Sequence, residues 1–114
     1  LGYMVLGWGT ESGEQGSSLL SLLATYDASK GMGTTNRARY SNPELDRMIA
    51  EAMTTMDEKK REARIQKAAE LAMNETALIP IHYEVSTWAT ARDLKYTPRT
   101  DQYTLAMSVT PAKK

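Results

Sequence analysis

Residues 42–73 constrain the fold of this chain more tightly than any other stretch. Asn42 carries a side-chain oxygen suited to capping a helix, Pro43 suits the first helical position, and Glu44 favours the positive end of the helix dipole. Leu45, Met48, Ile49, Ala52, Met53 and Met56 then recur at three- and four-residue spacing, the apolar stripe of an amphipathic helix. Asp57 is suited to cap a second helix. On it Ile65, Ala68, Ala69, Ala72 and Met73 form another stripe, and Lys59, Lys60, Glu62 and Lys67 fall largely on the wet side. The small alanine face admits a close neighbour. This second helix is expected to end near Asn74, a residue that tolerates left-handed geometry.

The flanks read differently. Residues 1–8 are apolar, with aromatic and β-branched members, and run into a glycine-rich stretch from Gly7 to Gly16, which predicts a buried strand and a loop. Ser17 or Ser18 is placed to cap a short helix through Leu19, Leu20, Leu22 and Leu23, ending about Tyr26. Residues 27–39 are rich in glycine, threonine and asparagine and predict a loop with Gly31-Met32-Gly33 as its turn. After the helices the period shortens. Residues 77–83 are strand-like but contain Pro80, which belongs at an edge or a strand start. Residues 85–91, centred on Trp88, are a second candidate strand. Tyr103, Leu105, Met107 and Val109 alternate with Thr104, Ala106 and Ser108, the two-residue period of a half-buried strand. The order is strand, helices, then strands, an α/β arrangement over residues 1–114 that forms one domain or a part of one.

Composition excludes several functions. The 114 residues allow a single modest core. Fourteen basic residues balance fourteen acidic ones, which argues against nucleic acid and against a polybasic membrane anchor. Without cysteine and with one histidine, His82, the chain offers no thiolate nucleophile and no histidine or cysteine metal site, so no cofactor is expected. No apolar run is long enough to span a bilayer. The chain opens on Leu1 and passes directly into Tyr3-Met4-Val5-Leu6, as expected of a piece of a longer protein.

Few residues carry candidate chemistry. A phosphate loop ends in Gly-Lys before serine or threonine, whereas here Lys30 precedes Gly31; a dinucleotide fingerprint fails because Ser12 stands at its third glycine after Gly7 and Gly9. His82, between Ile81 and Tyr83, reads as structural, with no serine–histidine–acid spacing. Glu11 and Glu14 share a loop, either as paired acids or as solvated side chains. Trp8 and Glu11 form a plausible ligand corner, because α/β sites lie outside the carboxyl ends of strands. The indole supplies an apolar wall and the carboxylate can fix a cation, an attraction of about 4 kcal/mol before desolvation is subtracted. Arg37 and Arg39, beside Tyr40, either hold a ligand carboxylate or pair with an acid such as Asp46.

Taken in order, Tyr40-Ser41-Asn42-Pro43-Glu44-Leu45-Asp46, Asp57 with Arg61 or Arg64, Ile79-Pro80-Ile81-His82-Tyr83 and Trp88-Ala89 resemble the last third of the family 5 extracellular solute-binding proteins. These are the peptide- and nickel-type receptors of ABC importers. Leu6-Gly7-Trp8 followed by an acid resembles the strand and loop just upstream. The resemblance implies a C-terminal fragment of one lobe of a bilobed periplasmic-binding-protein fold. It implies no enzymatic activity, a periplasmic location, a peptide or similar small solute as ligand, and an inner-membrane ABC permease as partner. By position, Leu6, Gly7, Trp8 and Gly9 match the family's backbone-contact region, and Glu11 matches the acid that accepts a peptide's ammonium; the family's usual residue there is aspartate. Such a fragment is expected to bind ligand weakly on its own and to self-associate through exposed edges. The rival readings are a helical interaction module on residues 43–55 and 58–73, and a small hydrolase, for which no convergent nucleophile and base are found.

Overall fold

The structure, a computed structural model, describes residues 4–10 and 13–112. The chain divides after Ile81 into two units.

The first unit holds three helices: α1 (Gly16–Leu22), α2 (Pro43–Met53) and α3 (Glu58–Asn74). The caps of α2 and α3 are those expected. Asn42 Oδ1 accepts from the main-chain N–H of Glu44 at 2.8 Å and Leu45 at 3.2 Å. Asp57 Oδ1 accepts from Lys60 N–H at 2.9 Å. Leu45, Ile49 and Ala52 of α2 are buried with Ile65, Ala68 and Ala72 of α3, and Leu19, Leu22, Leu23 and Ala24 complete the core. The alanines bring the helices close enough for Leu45 and Ile49 to be fully enclosed. The central residues of both stripes are thus used within the unit, whereas Met53, Met56 and Met73 at their ends are exposed.

The apolar face of α2 is shorter than its sequence period suggests. The helix stops at Met53, so Met56 falls in the connection to α3 and is 92% exposed, and Met53 is largely exposed too. The left-handed residue closing α3 is Thr76 (φ 56°) rather than Asn74; its N–H donates to Met73 O, and Ala77 N–H donates to Ala72 O. Helix α1 begins at Gly16, after Gln15, with no side-chain cap from Ser17 or Ser18, and stops at Leu22, short of Tyr26. In the 27–39 loop, Asp27 and Met32 exchange main-chain hydrogen bonds at 3.0 and 3.1 Å around the expected turn, where Gly31 and Gly33 take positive φ.

The second unit carries β1 (Leu94–Tyr96) and β2 (Val109–Pro111), antiparallel, with Lys95 opposite Thr110 and Tyr96 opposite Val109. None of its described residues is buried. Trp88 and Tyr96 meet with ring centroids 5.6 Å apart, and Trp88 Nε1 donates to Thr104 Oγ1 at 3.0 Å.

The expected strands at 77–83 and 85–91 do not form, and that at 103–109 forms only at its last residue, where β2 begins. Ile79, Ile81, Tyr83 and Val85 are exposed, and a 3-10 turn at Ala106–Ser108 interrupts the alternation and leaves Met107 outside. The physical reason is common to all three: a strand exists only through main-chain bonds to a neighbour. Among the described residues these stretches find none beyond β1. The described part of the strand expected at 1–8 meets the same obstacle. This part, Met4 to Trp8, has no regular structure and lies exposed, and residues 1–3 fall outside the described residues.

Candidate functional site

The segment singled out as a ligand corner enters α1. Leu6, Gly7, Trp8 and Gly9 are exposed, and their main-chain groups make no backbone hydrogen bond among the described residues. Trp8 is 45% exposed rather than buried. Its indole is nonetheless anchored, Nε1 donating to Ser18 Oγ on α1 at 2.9 Å. A Cβ at Gly9 would meet nothing within 4 Å, so the chain beside the indole is open. Glu11 lies outside the described residues. Among the described residues, main-chain groups without a backbone partner thus stand next to a tethered aromatic face.

A cleft of about 420 Å³ opens beside this segment's return into α1, lined by Gly13, Glu14 and Gln15 and by Glu58, Arg61, Glu62, Ile65 and Gln66 of α3. The α3 residues recur at three- and four-residue spacing and so share one face. Glu14 takes an ion pair, Arg61 Nε donating to Glu14 Oε1 at 2.6 Å; its expected pairing with Glu11 lies outside the described residues. None of Leu6, Gly7, Trp8 or Gly9 lines this cleft.

Arg37 and Arg39 do not pair with Asp46. Asp46 Oδ1 accepts from Thr25 N–H at 2.8 Å, and the Arg39 guanidinium stacks 4.0 Å from the centre of the Tyr26 ring. His82 is exposed. Among the described residues no cluster of histidine, cysteine, aspartate or glutamate is placed to hold a metal, and no helix is long and apolar enough to cross a membrane.

Sequence reasoning missed a polar latch between the ends of α2 and α3. Asn42 Nδ2 donates to Glu75 Oε1 and Oε2 at 2.9 and 3.0 Å, and the Tyr40 hydroxyl donates to Glu75 Oε2. The Tyr40 bond, then those from Asn42, hold the Glu75 carboxyl below its ordinary 4.5. Burial first, then donation to Glu75, pushes the Tyr40 phenol up. A depressed carboxyl stabilises the fold above its unfolded value and loses that contribution as pH falls through its folded value. The latch is therefore expected to open on acidification below the normal carboxylate range. Stability followed against pH should drop less steeply in Glu75→Gln than in the parent; identical slopes would show that the latch carries no pH dependence.

Over 64 residues the chain is 33% identical to the dipeptide-binding protein DppE of Bacillus subtilis (strain 168), a match that covers 56% of the chain and 11% of that protein. The chain thus corresponds to a small part of its relative. No protein-family model matches the chain, and no solved structure matches it significantly.

Proposed function

We propose that this chain is the C-terminal portion of the ligand-binding lobe of a family 5 solute-binding protein, the receptor component of an ABC importer. The carrying observation is the 64-residue likeness to a dipeptide-binding protein. The anchored indole of Trp8, beside main-chain groups that make no backbone hydrogen bond among the described residues, supports it. In this reading the ligand is a peptide or similar small solute. Leu6, Gly7 and Gly9 offer it main-chain hydrogen bonds, Trp8 covers its apolar surface, and Glu11 accepts its ammonium. The second lobe closes over the ligand because only the shut form contacts it from both sides, and the closed receptor presents it to an inner-membrane permease. The receptor works in the periplasm and carries out no reaction on its cargo.

The test uses the complete receptor that contains this chain, titrated calorimetrically with a dipeptide series while the dipeptides are followed by mass spectrometry. Saturable binding at one equivalent, with every dipeptide recovered intact, is expected. Cleavage of the dipeptides, or heats that never saturate, would overturn the reading.

A further inference from the structure

We propose that Met53 is a site of reversible oxidation by hydrogen peroxide, and that its conversion to the sulfoxide loosens the seat of α1 on α2 and α3. This does not depend on the transport reading. The chain has seven methionines and no cysteine, so thioethers carry all of its sulfur chemistry. The step takes two electrons from the sulfur. The peroxide O–O bond breaks, one oxygen bonds to Sδ, and the other leaves as water with both protons.

Two properties coincide in Met53. It is 47% exposed, so peroxide can reach it. Its sulfur nevertheless serves packing: a Cβ added at the buried Gly16 would lie 3.1 Å from Met53 Sδ and 3.3 Å from Ile65 Cδ1. The first residue of α1 is thus faced by the last residue of α2 and by the middle of α3. Other methionines have one property without the other. Met56, at 92%, and Met107, at 84%, are open to oxidant, but Met56 lies in the α2–α3 connection and Met107 in the second unit, none of whose described residues is buried. Met32 and Met48 pack against the core and are partly buried. A sulfoxide is polar and carries an oxygen that the thioether lacks. Against Gly16 there is no room for it, since even a methyl carbon there would crowd the sulfur. Met53 must therefore turn its sulfur towards water, and the contact that covers Gly16 from the α2 side is lost.

The experiment treats this chain with hydrogen peroxide for increasing times. Peptide mass spectrometry follows each methionine, and urea unfolding read by far-UV circular dichroism follows stability. Met53 should be oxidised while Met32 and Met48 remain thioethers. At that stage the urea midpoint should fall by about 0.5 M, the scale of an ordinary single-site loss at ordinary urea slopes. Met53→Leu, close in volume and without sulfur, should keep its own untreated midpoint through the same exposure, although Met4, Met56, Met73 and Met107 still oxidise. Met56→Leu should fall as the parent does. Met53→Gln, polar without any oxidant, should show the lowered midpoint untreated. Sulfoxide reductases of both stereospecificities should return the parent to its starting midpoint. The proposal would be overturned by Met53 spared until Met32 and Met48 react, by a parent midpoint unmoved once Met53 is oxidised, or by an equal fall in Met53→Leu. Protection by Met56→Leu, a Met53→Gln variant as stable as the parent, or a fall that the reductases do not reverse would count against it equally.

Discussion

Gly33→Ala is expected to destabilise the helical unit by at least about 3 kcal/mol, the sum of a left-handed penalty and forced backbone movement. Gly33 sits at φ 60°, and its N–H donates to Leu20 O at 2.9 Å. A Cβ there would press on the Ala24 carbonyl oxygen and stand 2.9 Å from both N and Cα of Tyr26. Those neighbours are main chain, so no side chain can rotate out of the way. Gly31 is the control: it has φ 67°, but a Cβ would meet nothing within 4 Å. Gly31→Ala should therefore cost only the conformational part, about 1 kcal/mol. Urea unfolding followed by helical dichroism would measure both; equal losses would mean that the close approach at Gly33 is not what demands glycine.

Asn36→Ala is expected to cost about 3 kcal/mol, because it leaves three main-chain groups without their partner. Asn36 is 4% exposed. Its amide donates to Ala24 O at 2.9 Å and Tyr40 O at 2.7 Å, and its carbonyl accepts from Tyr40 N–H at 3.1 Å. This one side chain joins the end of α1 to the approach to α2, which carries Tyr40 and the Asn42 cap. Asn36→Asp preserves the acceptor but turns a carboxylate towards two carbonyl oxygens, so it should be no milder than alanine above the carboxylate range. Loss of less than about 1 kcal/mol in both variants, in the same urea assay, would contradict this assignment of the loop's stability.

The contrast between Asn42 and Asn36 shows what could be read in advance. Asn42 acts on N–H groups two and three residues ahead, so its cap is written in adjacent letters, as are Asp57 before α3 and the alternating faces of both helices. Asn36 acts on Ala24, 12 residues away, and Arg61 on Glu14, 47 residues away. No spacing rule reaches that far. Met56 misled for a related reason: its period matched the stripe of α2, but the helix had already ended at Met53. The strands were least legible, because alternation marks a side-chain pattern while a strand also needs a neighbour. Among the described residues only Leu94–Tyr96 and Val109–Pro111 meet one, and Leu94–Tyr96 had no alternation to announce it. At the candidate site, the sequence singled out Trp8 but placed it in a buried strand, whereas it is exposed and tethered through Ser18.

The most direct test of the account follows Trp8 itself. In the complete receptor carrying Trp88→Phe, and with any tryptophans elsewhere in the receptor likewise replaced, Trp8 emission should move to the blue as a dipeptide is added. The shift should saturate at one equivalent, because closure removes a half-exposed indole from water. Trp8 emission that stays constant while calorimetry registers full occupancy would place the ligand elsewhere and contradict the claim that this segment faces it.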